Sequence, residues 1–280
     1  MGANSFLRRV VKAALHPFLK EDNYIYLQAI AKANDIWRGN SAEPELDIVP
    51  LAVDLGDEVL DLGANYGFYT YPLSKAVGTS GQVYAFEPVP FTFRVLVIVC
   101  RLFRLRNVTL VRKGCSNRAG RVTFTIPVQS SGALGTGQAY IGMRNDDRPG
   151  AETQVRWHKT TCVECDVVSL DEYLPPLKRL SLIKCDIEGA ELLALRGAVR
   201  LVDQHHPTVI CEINPWFLAG FGIRLEDLVA FFTDRGYGFY RYTDGKQLIR
   251  VPSLETVDED NYVFIHPDRQ PPLRPLMDAD

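Results

Sequence analysis

The sequence lacks an apolar run long enough to cross a bilayer, and it lacks a repeat of solenoid length. It also lacks an excess of basic residues, because 31 Lys and Arg are outnumbered by 34 Asp and Glu, which gives a net charge of −3. A protein that binds nucleic acid electrostatically normally has a basic face. The sequence therefore argues against a membrane-spanning segment, a repeat array and a nucleic-acid partner.

Cysteine pairs are also scarce. Of the six cysteines only Cys162 and Cys165 form a C-x-x-C pair, and no second close pair completes a zinc site. Several of the others stand inside apolar runs that are typical of buried strands. Free thiols in a reducing compartment are the simpler interpretation, so we expect a cytoplasmic location and no bound metal.

Apolar residues make up 46% of the 280 residues, enough for one large α/β domain with additions or for two small domains. Short apolar runs alternate with helical patterns along most of the chain. This alternation predicts an α/β fold on a mostly parallel sheet with right-handed crossovers. The predicted strands are Glu58–Leu62, Gln82–Phe86, Val108–Arg112, Leu180–Cys185, Thr208–Ile213, Tyr237–Tyr242 and Asn261–His266, and the predicted helices are Tyr66–Val77, Pro90–Arg106, Glu188–Asp203 and Leu225–Arg235.

An insertion at residues 120–168 interrupts this alternation. Arg121–Ile126 and Cys162–Val168 have strand patterns, and the stretch between them is rich in Gly, Ser, Asp and Arg. A long irregular loop in a compact domain is either disordered or functional, so we expect a lid over the carboxyl edge of the sheet. His158 lies near the end of this loop and is a candidate base, although a loop histidine is more often merely solvated.

Two apolar segments suggest association. Phe6–Lys20 has an amphipathic helical stripe with basic residues off it, and these basic residues interrupt any secretory h-region. Val95–Leu105 is apolar around most of a helical circumference. We expect Val95–Leu105 to be covered by the N-terminal segment, by a second subunit in a homo-oligomer, or by lipid in a peripheral membrane contact. Membrane association is thus an alternative to a purely cytoplasmic location.

A glycine-punctuated turn, Gly63-Ala64-Asn65-Tyr66-Gly67, follows the first strand and its Asp61. A strand, such a turn and a helix form the usual layout of a nucleotide-type cofactor site. Glu87 ends the second strand twenty residues after Gly67, where an acidic side chain accepts hydrogen bonds from ribose hydroxyls in Rossmann-like sheets. A carboxylate at this position also suits capping of the following helix.

Both NAD and S-adenosylmethionine need these features. A dinucleotide site requires G-x-G-x-x-G, whereas this chain has Asn65 where the second glycine would stand, which leaves less room for a pyrophosphate. Asp61 also suits a ligand with a positive ammonium group better than one with two phosphates. The turn favours S-adenosylmethionine, and a NAD(P)-dependent oxidoreductase stays the alternative.

Three ordered motifs make the comparison more specific: DLGANYGFYT at Asp61–Thr70, AFEP at Ala85–Pro88 and LIKCDIEGAE at Leu182–Glu191. In these motifs the chain resembles the FkbM family of S-adenosylmethionine-dependent methyltransferases. The resemblance implies a class I methyltransferase fold, a Rossmann-like seven-stranded sheet with an antiparallel last strand and helices on both faces. It also implies O-methylation, often of sugar hydroxyls.

Carried over residue by residue, the resemblance assigns cofactor contacts. Gly63, Asn65 and Gly67, with Tyr66 in the same motif, would line the methionine and ribose part of S-adenosyl-L-methionine. Asp61 would lie near its amino group, and Glu87, followed by Pro88, would hold the ribose hydroxyls. Cys115 and Ser116 stand where related enzymes contact adenine, although a small residue, Ser and Asp are more usual there.

Asp186 ends the fourth strand and Glu188 is expected to open the next helix, so both should lie at the catalytic edge of the sheet. Methyl transfer to oxygen needs a positioned hydroxyl and a group that takes its proton. Asp186 is the candidate base or an orienting residue, and Glu188 is a second candidate or a helix-dipole partner. Together with Glu212 they offer oxygen ligands for a divalent cation, which is the weaker alternative.

The sequence thus predicts an N-terminal helical extension over residues 1–56 and a methyltransferase domain over 57–280. The predicted activity is S-adenosylmethionine-dependent O-methylation of a hydroxyl on a glycan or other small-molecule acceptor. A non-catalytic binding module with this fold is a further alternative.

Overall fold

The computed structural model describes residues 21–40, 43–128, 140–141, 159–243 and 245–277. The amphipathic segment Phe6–Lys20, the candidate base His158 and most of the predicted lid lie outside these residues.

Eight strands form the main sheet: β1 Glu58–Leu62, β2 Gln82–Phe86, β3 Val108–Val111, β8 Leu180–Cys185, β9 Thr208–Ile213, β10 Gly238–Tyr242, β11 Leu248–Arg250 and β12 Asp260–Ile265. Their order in the sheet is β11-β10-β12-β9-β8-β1-β2-β3. The strands β3, β2, β1, β8 and β9 are parallel, and β12 pairs antiparallel with both β9 and β10. This arrangement confirms the mostly parallel Rossmann-like sheet with an antiparallel last strand.

The predicted number of strands in this sheet, seven, was one too few. β11 is the addition, a three-residue strand that pairs antiparallel with β10 at the edge of the sheet. Two of its three residues are exposed, so it has no apolar pattern from which a strand could be predicted. In contrast, every residue of β8 is buried, as expected for a central strand covered on both faces.

A smaller sheet is formed by three strands of the insertion and by one short strand just before it. Its strands are β4 Gly114–Cys115, β5 Gly120–Val128, β6 Tyr140–Ile141 and β7 Lys159–Val168, in the order β4-β7-β5-β6. The two predicted insertion strands correspond to β5 and β7, which pair antiparallel along their whole length. Phe124, Ile126 and Cys165 from this sheet pack with Val89 in a separate apolar cluster. The described part of the insertion is therefore a folded wall beside the main sheet.

The helices connect these strands and cover both faces of the main sheet. They are α1 Glu21–Trp37, α2 Val49–Ala52, α3 Thr70–Val77, α4 Pro90–Leu102, α5 Leu170–Tyr173, α6 Glu191–Arg196, α7 Val199–His205, α8 Pro215–Gly220, α9 Leu225–Thr233 and α10 Gln270–Leu273. The prediction of one helix over Glu188–Asp203 was wrong, because α6 and α7 are separated at Gly197. A Cβ atom on Gly197 would lie 2.1 Å from the carbonyl oxygen of Ser116, so this backbone approach requires glycine.

The apolar helix α4 is covered from within the chain. Ile25 and Ala29 of α1 pack against Val95 and Val99 of α4, and all four side chains are buried. The cover over this face is therefore α1, which lies just after the basic amphipathic segment. Oligomerisation and membrane contact stay predictions.

The N-terminal residues also join the main core. Val49 and Val53 pack in one cluster with Val59, Leu73 and other residues of the sheet and its helices. The predicted boundary between residues 56 and 57 stays a prediction. In the part of the chain that the structure describes, none of the helices has the length and apolar character that a membrane span requires.

Candidate active site

A cavity of about 340 Å³ lies at the carboxyl ends of β1, β2 and β8. Ligands of open α/β sheets bind at this edge, and a cavity of several hundred Å³ is typical of a small-molecule site. Of the predicted site residues, the cavity is lined by Gly63, Asn65, Glu87, Pro88, Cys115, Asp186 and Glu188.

The glycine turn is held against two neighbouring strands. The backbone N–H groups of Gly63 and Ala64 donate to the carbonyl of Phe86 at 3.0 and 2.9 Å. Gly63 has φ +83°, and a Cβ atom there would lie 1.8 Å from the carbonyl oxygen of Asp186. Only glycine allows the turn to approach the end of β8 so closely. The predicted need for glycine at this position is thereby explained by the packing of the two loops.

Asn65 and Glu87 lie side by side in the cavity wall. The backbone N–H of Asn65 donates to Glu87 Oε2 at 3.1 Å, and that of Val89 donates to Oε1 at 2.9 Å. Burial raises the pKa of Glu87 to about 8, although these two hydrogen bonds lower it. The Oδ1 atom of Asn65 is buried and has no hydrogen-bond partner among the described residues. Such an orphaned acceptor in a cavity wall fits a ligand with hydrogen-bond donors.

Asp61, Tyr66 and Gly67 lie behind the residues that line the cavity. Asp61 is fully buried, and Thr70 Oγ1 donates to its Oδ2 at 2.5 Å. Burial raises the pKa of Asp61 to about 6, against the lowering effect of the Thr70 hydrogen bond. Asp61 thus joins the strand end to the first turn of α3, and its contact with a cofactor amino group stays a prediction.

The predicted adenine segment divides into two parts. Cys115 lines the cavity and is buried, and burial raises the pKa of its thiol well above the usual range. Phe124 of the insertion sheet lines the same cavity, so the wall here is apolar. Ser116 lies outside the lining, where its N–H donates to the carbonyl of Val168 at 2.8 Å. The role of both residues in binding adenine stays a prediction.

Three carboxyl groups meet at the other side of the cavity: Asp186, Glu188 and Glu212. Asp186 directly follows β8 and Glu212 lies near the end of the neighbouring β9, where Cys185 and Cys211 are in register. Burial raises the pKa of Glu212 well above its ordinary value, and the charge of Asp186 and a hydrogen bond to it raise it further. Glu212 therefore holds a proton at neutral pH.

The expected position of Glu188 was wrong. It does not open a helix, because α6 begins at Glu191, and Glu188 lies in the preceding turn with φ +57°. The carboxyl group that stabilises the turn belongs to Glu191. Its Oε1 accepts hydrogen bonds from the backbone N–H groups of Ile187 and Gly189 at 3.1 and 3.0 Å. Glu188 still lines the cavity, but the interaction with a helix dipole that was considered for it belongs to Glu191.

A buried lysine lies beneath the acidic side of the cavity. Lys184 is 1% exposed, and its Nζ lies 3.7 Å from Asp186 Oδ2 and 2.5 Å from Asn261 Oδ1. Burial lowers the pKa of Lys184, but the charges of Asp186 and Glu43 outweigh it and the net shift is upward. Lys184 is therefore an ammonium group that offsets part of the negative charge around Asp186.

Glu43 completes this network from the N-terminal part of the chain. Its Oε2 accepts hydrogen bonds from the Tyr69 hydroxyl and from Asn261 Nδ2, both at 2.8 Å. Glu43, Lys184 and Phe124 were not predicted from the sequence as site residues. Lys184 stands within the LIKCDIEGAE motif, so its position was a usable signal, whereas nothing in the pattern around Glu43 or Phe124 distinguishes them from surface or core residues.

Within the described ranges, one group brings three possible metal-ligand atoms within 4.8 Å of one another: His206, His266 and Asp268. It lies at the opposite edge of the sheet, because His206 precedes β9 and His266 follows the antiparallel β12. The two imidazole rings are stacked, with centroids 3.8 Å apart, and His206 Nδ1 lies 2.8 Å from Asp268 Oδ2. This hydrogen-bonded stack is separate from the cavity.

Comparisons with known proteins identify the family of the chain. The profile of the methyltransferase FkbM domain matches residues 61–239, well over half of the chain. "Methyltransferase 1" of Beauveria bassiana is 31% identical over 169 residues, which cover 57% of this chain and 63% of that protein, so the chain spans less than two thirds of this relative. "Methyltransferase sdnD" of Sordaria araneosa is 27% identical over 206 residues, covering 65% and 74% of the two chains.

Among solved structures, a methyltransferase FkbM from Methylobacillus flagellatus KT is 17% identical, with a TM-score of 0.46, and the alignment covers 92% of this chain and 59% of that one. The profile match alone is sufficient to assign the family. The chain belongs to the FkbM family of methyltransferases, for which S-adenosyl-L-methionine is the expected cofactor.

Proposed function

We propose that the protein transfers a methyl group from S-adenosyl-L-methionine to a hydroxyl of a sugar-containing or natural-product acceptor. The observation that carries this proposal is the division of the cavity into two sides. Gly63, Asn65 and Glu87 lie on one side, and the carboxyl groups of Asp186 and Glu212 lie on the other. A cofactor held on the first side would bring its methyl group toward a hydroxyl held on the second.

The first side fits the nucleoside and amino-acid parts of the cofactor. The orphaned Oδ1 of Asn65 can accept a hydrogen bond, and each oxygen of Glu87 has one backbone donor and keeps lone pairs for ribose hydroxyls. Cys115 and Phe124 offer an apolar wall that suits a purine ring. When bound, S-adenosyl-L-methionine supplies a methyl group on a positively charged sulfur.

The second side can manage the proton of the acceptor. As the acceptor oxygen forms its bond to the methyl carbon, the carbon–sulfur bond breaks and the hydroxyl proton must leave. Asp186 is the proposed base, because it lies at the cavity and its neighbour Glu212 already carries a proton. The ammonium group of Lys184, 3.7 Å away, keeps Asp186 in place through an ion pair.

The alternative oxidoreductase would use the same edge of the sheet. Asn65, which replaces a glycine of the dinucleotide motif, has φ +46° and contributes a side chain to the cavity wall, which disfavours a pyrophosphate there. No observation on the site favours a non-catalytic module over an enzyme.

Calorimetric titration of the full chain with S-adenosyl-L-methionine, S-adenosyl-L-homocysteine and NAD tests the cofactor. We expect binding of the first two and none of NAD; strong NAD binding without the others would refute the proposal. Transfer of labelled methyl groups into glycolipid and small-molecule fractions, followed by identification of the bond formed, tests O-methylation. A product methylated only on nitrogen or carbon would refute the proposed acceptor atom.

A further inference from the structure

A second cavity of about 390 Å³ adjoins the first. It lies between the turn at Pro44–Ile48 and the neighbouring strands β10 and β12. Glu43 lines both cavities. Because this residue also accepts hydrogen bonds from Tyr69 and Asn261, the wall that separates the cavities is fixed to the network that holds Lys184 and Asp186.

The lining of the second cavity has more hydrogen-bond acceptors than donors. Glu43, Glu45 and Asp260 contribute carboxyl groups, and Arg241 is the cation among the residues that line it. The guanidinium of Arg241 is already engaged, with Nη2 2.6 Å and Nε 2.8 Å from Asp260 Oδ2. A ligand in this cavity would therefore need to supply donors rather than acceptors.

Glu45 gives a second, independent indication of a ligand. Its side chain is 3% exposed and lines the cavity, and its Oε2 has no hydrogen-bond partner within the described part of the chain. The pKa of Glu45 is raised to about 7, mainly by burial and also by the charges of Glu43 and Asp260, against the lowering effects of a backbone hydrogen bond and of Lys184. A buried carboxyl oxygen without a partner is costly, and a donor from a ligand would satisfy it.

We propose that the second cavity is a subsite for a second unit of the acceptor, a hydroxyl- or amino-bearing sugar ring without negative charge, next to the unit that receives the methyl group. Hydroxyl and ammonium groups supply the donors that Glu43, Glu45 and Asp260 require. A carboxylate, sulfate or phosphate on this unit would face these carboxyl groups without a free cation in the lining to pair with, so the subsite rejects anionic units. This inference rests on the proposed function for the identity of the first cavity.

The test uses the full chain, with and without S-adenosyl-L-homocysteine, and three probes with the same ring: glucose, glucosamine and glucuronate. Their affinities are measured by saturation-transfer NMR for the wild type and for Thr243→Trp, which narrows the second cavity. Thr256→Trp, at an exposed position, is the matched control. Glu45→Gln, with the exposed Glu255→Gln as its control, tests the orphaned carboxyl group.

We expect glucose and glucosamine to bind at least about tenfold more tightly than glucuronate. This difference in binding free energy corresponds to the loss of one charged hydrogen bond. Thr243→Trp should weaken both by a similar factor while Thr256→Trp does not, and Glu45→Gln should reduce the preference for glucosamine over glucose. Equal binding of glucuronate, no binding of any probe, or full binding by Thr243→Trp would overturn the proposal. Failure of S-adenosyl-L-homocysteine to bind would instead count against the proposed function. Because the affinities of the probes are also measured without S-adenosyl-L-homocysteine, they test the subsite separately.

Discussion

Individual side chains in the main cavity owe their chemistry to neighbours that are distant in sequence. Asp186 follows β8, Glu212 belongs to β9 and Glu43 precedes the turn at Pro44–Ile48, yet all three line one cavity. Carboxyl groups placed so close together cannot all ionise freely. The raised pKa of Glu212 is therefore a property of the folded site, which the sequence motif alone does not contain.

Asp186→Asn tests the proposed base. The amide has nearly the same size and can still accept a hydrogen bond, but it cannot take a proton, so methyl transfer should fall by about 100-fold or more. Binding of S-adenosyl-L-homocysteine should be unchanged in calorimetry, since the substitution lies on the acceptor side. Asp234→Asn, at an exposed position after α9, is the control and should keep full activity. Unchanged turnover in Asp186→Asn would remove Asp186 from the mechanism without removing the family assignment.

Glu87→Gln tests the ionisation of the buried carboxyl beside the glycine turn. The pKa of Glu87 is raised by burial from 4.5 to about 8, so between these values the folded state holds a proton that the unfolded chain has lost. The free energy of unfolding should therefore fall with rising pH across this window, by about 1.4 kcal/mol per pH unit for this group. The glutamine variant should show a slope that is shallower by this amount.

Urea unfolding at several values between about pH 5 and pH 8 measures this slope. Asp61, Glu45 and Glu191, whose pKa values are also raised by burial, contribute in the same direction, so the variant should keep part of the dependence. Glu255→Gln at the surface should leave the slope unaltered. A Glu87→Gln slope equal to that of the wild type would show that Glu87 is not protonated in the folded state.

Among the secondary-structure elements, those with a strong local pattern were predicted well and those defined by contacts were not. β1, β2, β8 and β9 match their predicted ranges, because central strands covered on both faces are short, mostly apolar segments. The break between α6 and α7 was missed, because it depends on the approach of Gly197 to Ser116 in another loop. β11 was not predicted, because a three-residue edge strand is defined by its pairing with β10 and not by a local sequence pattern.

The attachment of α1 to α4 can be tested by paired substitutions on one helix. Ala29 is fully buried against α4, so Ala29→Glu should lower the free energy of unfolding by about 3 kcal/mol or more through burial of a charge. Leu27 is 45% exposed on the same helix, so Leu27→Glu should change it by less than about 0.5 kcal/mol. Urea unfolding of both variants measures the difference, and equal effects would contradict the packing of α1.

At the level of the whole molecule, α1 covers the apolar surface of α4 and exposes apolar side chains of its own. Tyr26, Leu27 and Ile30 are 52, 45 and 46% exposed, and α1 directly follows the basic amphipathic sequence Phe6–Lys20. Basic residues beside an apolar helix face are typical of a peripheral contact with anionic lipid. From this combination we propose that the protein associates with a membrane surface through its N-terminal region.

Vesicle flotation of the full chain tests this association. We expect binding to vesicles that contain phosphatidylglycerol and much weaker binding to phosphatidylcholine alone, with loss of binding when Leu27 and Ile30 are both changed to glutamate. Light scattering on the protein without vesicles should show a monomer at micromolar concentration. A dimer that the double variant dissociates, without vesicle binding, would assign the surface to a second copy of the chain.

The sequence by itself determined the α/β class, the central parallel strands, the glycine turn and the family, because these depend on local periodicity and on short motifs. It predicted seven of the cavity-lining residues, six of them within these motifs. Only the tertiary structure decided which carboxyl groups share a cavity, because Glu43, Asp186 and Glu212 come from separate parts of the chain. The glycine turn at Gly63 was visible from the start, but its reason, a carbonyl of Asp186 that leaves no room for a Cβ atom, exists only in the folded protein.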